Sequence, residues 1–167
     1  RLAKAVGVKT VNVVRRESLV APLKAYGADV VLVDGPDLDT RVREAIGGGA
    51  LPLAIDAVGG SSTQRLARCV DEKGVVVNYG LLSGEPCMVD ARDTVFRDVH
   101  LRGFWLRRWF GETAPAEIGK LYASLAALVA DGTLKVEVEA VYPLAKIRDA
   151  VAHSAREGRS GKILIEM

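Results

Sequence analysis

Five short segments carry side chains or backbone able to hold a phosphorylated, planar ligand. A β-branched run, Val8–Val14, ends in Arg15-Arg16. If that run is the strand whose end meets the adenosine ribose of a dinucleotide, a carboxylate there would bind the two ribose hydroxyls and repel a 2′-phosphate. A guanidinium instead makes forked, charge-assisted hydrogen bonds to the phosphate, so the Arg pair reads as a preference for NADP(H) over NAD(H). A second apolar run ends in Asp56-Ala-Val-Gly59-Gly60, where paired glycines allow a backbone to pass close to a ribose or diphosphate. A third ends in Asn78-Tyr79-Gly80-Leu81-Leu82-Ser83-Gly84, a loop able to lie against a nicotinamide ribose. Phe104, Trp105 and Leu106 follow Gly103, and their backbone could bind a carboxamide; for Trp105 burial is the expectation. Lys162 stands apart among the lysines, because Gly161-Lys162 opens the last strand after a polar loop.

These residues need a scaffold that brings strand ends together. Strands are expected at 8–14, 29–33, 51–58, 74–79 and 100–106. Helices are expected at 19–26, 38–46 and 61–70, with a short helical stretch near 91–98. This alternation implies right-handed crossovers and a doubly wound parallel sheet of the Rossmann type, whose ligands bind beyond the carboxyl ends of the strands. The amphipathic run Pro115–Asp131 follows, with Ile118, Leu121, Leu125 and Leu128 at helical spacing. The tail then reads as strand 136–142, helix 145–156 and strand 162–166. The domain reading is therefore a dinucleotide-binding portion over 1–131 and a C-terminal segment over 132–167.

The opening residues, Arg1 to Val6, read as the end of a helix, with no Met or cap before them. The strand and Gly-rich turn that open such a domain are absent from the sequence. In the spatial order 3-2-1-4-5-6 the first strand is central, so two sheet edges are expected to lack a partner.

Composition sets outer bounds. The 167 residues are 49% hydrophobic with a formal net charge of +2, which favours one folded domain plus a fragment and gives no nucleic-acid tail. No apolar run reaches the ~18 residues of a membrane span. Cys69 and Cys87 have neither metal-type nor disulfide-framework spacing, and Cys69 falls on an expected buried helix face. His100 and His153 read as isolated, so no metal site is expected. A soluble, cytoplasmic protein is the expectation, or a mitochondrial one in a eukaryote.

The segments Lys9–Arg16, Leu23–Asp29, Leu53–Gly60, Val77–Gly84, Leu101–Trp109 and Gly161–Leu164 resemble the medium-chain dehydrogenase/reductase superfamily. Within it they look like the C-terminal portion of the zinc-free, mitochondrial-type trans-2-enoyl-thioester reductases. The stretch Arg102-Gly-Phe-Trp-Leu106 with Trp109 is the most specific match. The resemblance implies an NADPH-dependent reductase acting on the carbon–carbon double bond of an enoyl thioester. Arg15 and Arg16 would hold the 2′-phosphate, Tyr79–Leu82 and Phe104–Leu106 would line the nicotinamide, and Lys162 would return towards the cofactor. The proton donor would lie in an N-terminal domain that this sequence lacks. A zinc-free quinone or alkene reductase and a catalytically silent nucleotide-binding module are the alternatives. A two-fold dimer paired along strand 100–106 is expected, because a long apolar edge is a liability unless covered.

Overall fold

The computed structural model describes residues 1–156, 158–159 and 161–167. These divide into two compact units, Arg1 with Ala3–Ile118, and Leu2 with Gly119–Met167.

The first unit opens with a one-turn helix, α1 (Leu2–Ala5), part of which belongs to it, and continues with β1 (Val11–Val14), α2 (Val20–Ala25), β2 (Val30–Val33) and α3 (Leu38–Ile46). It goes on through β3 (Leu53–Asp56), α4 (Gly60–Cys69), β4 (Val75–Asn78), a π-helical turn at Arg92–Phe96, β5 (His100–Gly103) and α5 (Leu106–Glu112). A 3-10 turn, Glu17–Leu19, leads into α2, so Pro22 sits in the first turn, where its missing N–H is tolerated. The expected parallel crossovers are present: β1 pairs with β2, and β3, β4 and β5 pair in that order, all parallel.

The expected gap is present too. Among the described residues, no strand pairs with the second edge of β1 or of β3. The two sheets are linked by helices instead. Leu38 and Val42 of α3 pack on Cys69 of α4, with Val11, Val13 and Leu32 from the first sheet and Leu51 and Leu66 joining them. A second cluster, Ala67, Val70, Val76 and Val99, seats α4 on the three-stranded sheet. Polar links reinforce this. Arg65 grips Asp34 through Nε at 2.6 Å and NH2 at 2.5 Å, and Arg43 NH2 donates to the carbonyls of Cys69 and Val70 at 2.8 and 3.2 Å. At the end of α4, Arg97 donates to the carbonyls of Ala67 and Val70 and pairs with Asp93. On β3 the face bearing Leu53 and Ile55 is uncovered, with exposures of 51% and 66%.

Two expectations about the last strand fail. It ends at Gly103 rather than Leu106, because β4 ends at Asn78, directly opposite Gly103. Only one further bond, Phe104 N–H to the Asn78 carbonyl at 2.8 Å, continues the pairing. Leu106 therefore opens α5, whose Leu-Arg-Arg start favours helix. Trp105 is not buried: it is 61% exposed at a sheet edge, with the Arg108 guanidinium 6.0 Å from its ring centroid.

The second unit contains most of α6 (Pro115–Ala130), then β6 (Val138–Pro143), α7 (Ile147–Ser154) and β7 (Lys162–Glu166). β6 and β7 pair in parallel, with α7 as the crossover. Ala150 of α7 is buried.

Candidate functional site

The register across the three-stranded sheet fixes where the candidate loops start. Asp56, Asn78 and Gly103 lie side by side as the last residues of their strands. The chain therefore leaves the sheet at one end into Ala57–Gly59, Tyr79–Leu82 and Phe104–Leu106, so these candidates are brought together. In the other sheet, β1 and β2 end level at Val14 and Val33. Asp34, the next residue, accepts from Ser62 at 3.3 Å, in the first turn of α4, as well as from Arg65, one turn further along it. The carboxyl ends of both sheets thus face the same side, with Arg15 and Arg16 at the far part of it. Both arginines are exposed, and neither guanidinium has a partner among the described residues. Lys162 opens β7 in the second unit, its N–H donating to the Glu137 carbonyl at 2.7 Å.

The glycines justify themselves geometrically. Gly59 has φ +80°, and a Cβ there would meet the Glu85 carbonyl at 3.1 Å and Leu81 Cδ1 at 3.3 Å. A Cβ on Gly80 would lie 2.7 Å from the Ala57 carbonyl oxygen, an impossible approach against backbone. The turn after β3 and the loop after β4 therefore touch each other. Leu82 N–H bonds the Ala57 carbonyl at 3.1 Å and Ser83 N–H the Val58 carbonyl at 2.9 Å.

Behind these loops lies Asp56, 1% exposed, which the sequence reading passed over. Its carboxylate accepts from Thr63 Oγ1 at 2.6 Å, Val58 N–H at 2.8 Å, Gly59 N–H at 3.3 Å and Asn78 Nδ2 at 3.2 Å. Burial pushes its pKa up, but the donors from Thr63, Val58, Gly59 and Asn78 outweigh it and hold the group below the ordinary 3.8. The linkage sign follows: stabilisation by Asp56 is present above 3.8 and lost as pH falls through the lower folded value. Replacing Asp56 with Asn turns an amide towards these donors and should destabilise the protein by about 1–3 kcal/mol at neutral pH. Thermal melts of both proteins should differ fully at pH 5–7, begin to approach each other near 3.8 and converge only below the lowered folded value; a difference unchanged by acid would contradict the assignment.

Other sequence candidates find plain roles. Cys69 is buried, its thiol pushed up to about 11 chiefly by burial, so it stays an unreactive packing residue. His100 faces Asp98 at the surface. His153, expected to stand alone, does not: Nε2 meets Glu139 Oε1 at 3.1 Å, Nδ1 meets Tyr142 Oη at 2.9 Å, and Glu139 Oε2 accepts from Gly161 N–H at 3.1 Å. This joins β6, α7 and the turn before Lys162. Parallel register brings these partners together from 11 and 14 residues away, which no local pattern reveals. Among the described residues no group of three or more His, Cys, Asp or Glu could hold a metal ion. The hollow lined by Arg1, Lys4, Thr10 and Asn12 lies at the amino end of β1, opposite the candidate loops.

Parallel strands alternating with helices, with glycine-bearing loops gathered at their carboxyl ends, define a Rossmann-like dinucleotide-binding α/β fold. The sequence profile of the zinc-binding dehydrogenase family matches residues 1–126. The chain belongs to that family. A mitochondrial enoyl-[acyl-carrier-protein] reductase of Dictyostelium discoideum is 32% identical over the whole chain, which covers 49% of that protein. A Bacillus thuringiensis protein provisionally described as an NADPH:quinone reductase is 29% identical, with a TM-score of 0.84 over 99% of this chain and 51% of its own. A solved complex holding NADP and crotonyl-CoA shares the fold at 23% identity, with a TM-score of 0.83 over 99% of this chain and 49% of its own. The chain spans about half the length of the curated relatives it matches.

Proposed function

We propose that this chain is the cofactor-binding portion of an NADPH-dependent reductase that saturates the 2,3 double bond of enoyl thioesters. Residues 1–131 form the dinucleotide-binding part in this reading, and residues 132–167 return to the catalytic domain. The observation that carries it is the free pair Arg15 and Arg16 at the end of β1, in a chain that aligns along its whole length with enoyl reductases.

The residues present fit the cofactor. Arg15 and Arg16 would hold the 2′-phosphate, and Gly59 and Gly80 let the turn after β3 and the loop after β4 pack directly on each other beside it. Tyr79, Leu81 and Leu82, with Phe104, Trp105 and Leu106, would line the nicotinamide and keep water from it, and the family resemblance adds Lys162 to the cofactor contacts. When bound, the nicotinamide supplies the hydride delivered to the β-carbon. A second domain supplies the proton. The test is turnover by the whole enzyme of a 2-enoyl-CoA with NADPH; turnover of quinones and not of the thioester would favour the second reading, a quinone reductase, to which the Bacillus thuringiensis structure lends weight.

The same reading includes a two-fold dimer through β5, whose four residues are all exposed, as are Phe104 and Trp105. Light scattering at micromolar concentration should report a dimer, and quenching of Trp105 fluorescence should weaken on dimer formation; a monomer with an accessible Trp105 would contradict it. No described helix is long and apolar enough to cross a membrane. The mitochondrial location named for relatives such as the Dictyostelium discoideum reductase extends to this protein only as part of this proposal, with a cytoplasmic location for a bacterial source.

A further inference from the structure

Asn78 is not a ligand candidate by itself, yet it occupies an unusual place between the two central loops. Its Nδ2 donates to Asp56 Oδ2 at 3.2 Å and to the Gly80 carbonyl at 3.0 Å. Both amide hydrogens are therefore used, one pointing into the buried carboxylate and one along the loop. Asp56 in turn fixes the N–H groups of Val58 and Gly59 and the hydroxyl of Thr63, in the first turn of α4. One continuous path runs from the first turn of α4 through a carboxylate and an amide to the carbonyl of Gly80.

The loop has little else to fix it there. Residues 81–86 are all exposed; Leu82 and Ser83 bond Ala57 and Val58 in the turn that Asp56 holds, and the next tie, Met88 N–H to the Gly60 carbonyl at 3.2 Å, comes only at the loop's far end. There is no room for a side chain on Gly80, because a Cβ there would lie 2.7 Å from the Ala57 carbonyl oxygen. The Asn78 bond opposes movement away. The peptide of Gly80 thus lies between the Ala57 backbone on one side and the Asn78 amide, itself held by Asp56, on the other.

We infer that Asp56 and Asn78 are a positioning pair that sets the Tyr79–Leu82 loop against the Gly59 turn, so that both present a single surface to the nicotinamide end of the cofactor. The inference rests on the cofactor reading above. Asp56 also accepts from the N–H groups of Val58 and Gly59, just before α4, so it fixes the turn that leads into that helix. Lying at the ends of β3 and β4, the pair acts in this reading on the neutral, ring-bearing part of the ligand, while Arg15 and Arg16 at the end of β1 act on its phosphate.

That division gives the test. In the full-length enzyme, Asn78→Ala should weaken NADPH binding about tenfold, the effect of one hydrogen bond and the loop order it maintains. Binding of NADH should fall by the same factor, leaving the ratio between the two nucleotides unchanged, because the shared nicotinamide half is affected. Binding of 2′-phospho-adenosine 5′-diphosphoribose, which lacks the nicotinamide, should be unaltered, a result that general unfolding would not give. Asn78→Ser guards against a misfolded alanine variant: it keeps a donor for Asp56, gives up the one to Gly80, and should show the same selective loss. Unchanged NADPH affinity in the serine variant, or equal weakening of the ligand without nicotinamide, overturns the pairing. If the wild type binds neither nucleotide, the cofactor reading itself fails, a result separable from any variant.

Discussion

Replacing Arg15 and Arg16 together with alanine should erase most of the preference of the whole enzyme for NADPH over NADH. Two charge-assisted contacts to a phosphate are worth roughly 2–4 kcal/mol, so the affinity ratio should fall by about 30- to 1000-fold. The guanidiniums are exposed and unpaired among the described residues, so nothing in the folded chain has to be broken before they bind. For the same reason the substitutions should leave the thermal melt almost unmoved. NADH affinity should change little. Raising salt should weaken NADPH binding to the wild type and not to the double variant, since exposed charges are screened. Equal binding of the two nucleotides by the wild type would remove the phosphate assignment altogether.

The second large effect concerns the gap between the sheets. Residues 1–167 expressed by themselves should aggregate and reduce no enoyl thioester. Two strands, β1 and β3, leave one edge each without a strand partner among the described residues, and Leu53 and Ile55 stand on an uncovered face. Unpaired edges recruit other chains, and the total stability of a domain is only about 5–15 kcal/mol, so two unpaired inner edges weigh heavily against it. A longer chain that contributes a strand between β1 and β3 should recover solubility and NADPH binding. Thermal melting of both proteins with and without NADPH makes the comparison. A sharp melt of the 167-residue chain, shifted upward by NADPH, would show that the helices close the fold without that strand.

What could be read from sequence alone follows physical range. The helix Leu38–Ile46 and the strand Lys162–Glu166 come out with the expected bounds, because Gly47 and Gly161 mark their ends locally. The run His100–Leu106 is rich enough in apolar residues to suggest strand to its end. Its true end at Gly103 is set by the length of β4, a neighbour in space. Trp105 fails similarly, since burial of an aromatic depends on what covers it. Among site features, Arg15-Arg16 and the glycines announce themselves by type at a strand end. Asp56 does not: it looks like an ordinary strand-terminal carboxylate, and its meaning lies in Thr63 and Asn78, which are 7 and 22 residues away. The pattern Asp-x-x-Gly-Gly with a threonine three residues after the second glycine was the one available signal.

The way α4 is fastened has a consequence for motion. Asp56 holds its first turn, Arg65 ties it to Asp34, and Arg43 and Arg97 take up carbonyls at its end. It also belongs to both apolar clusters, through Cys69 and Leu66 on one side and Ala67 on the other. Opening this helix therefore dissolves the link between the two sheets at the same moment, so local and global unfolding coincide for it. Its amide protons should be the last in the chain to exchange with deuterium, and those of the exposed loop 81–86 among the first. A slow-exchanging α4 flanked by fast-exchanging strand edges would identify this one helix as the cooperative unit on which the rest of the fold depends.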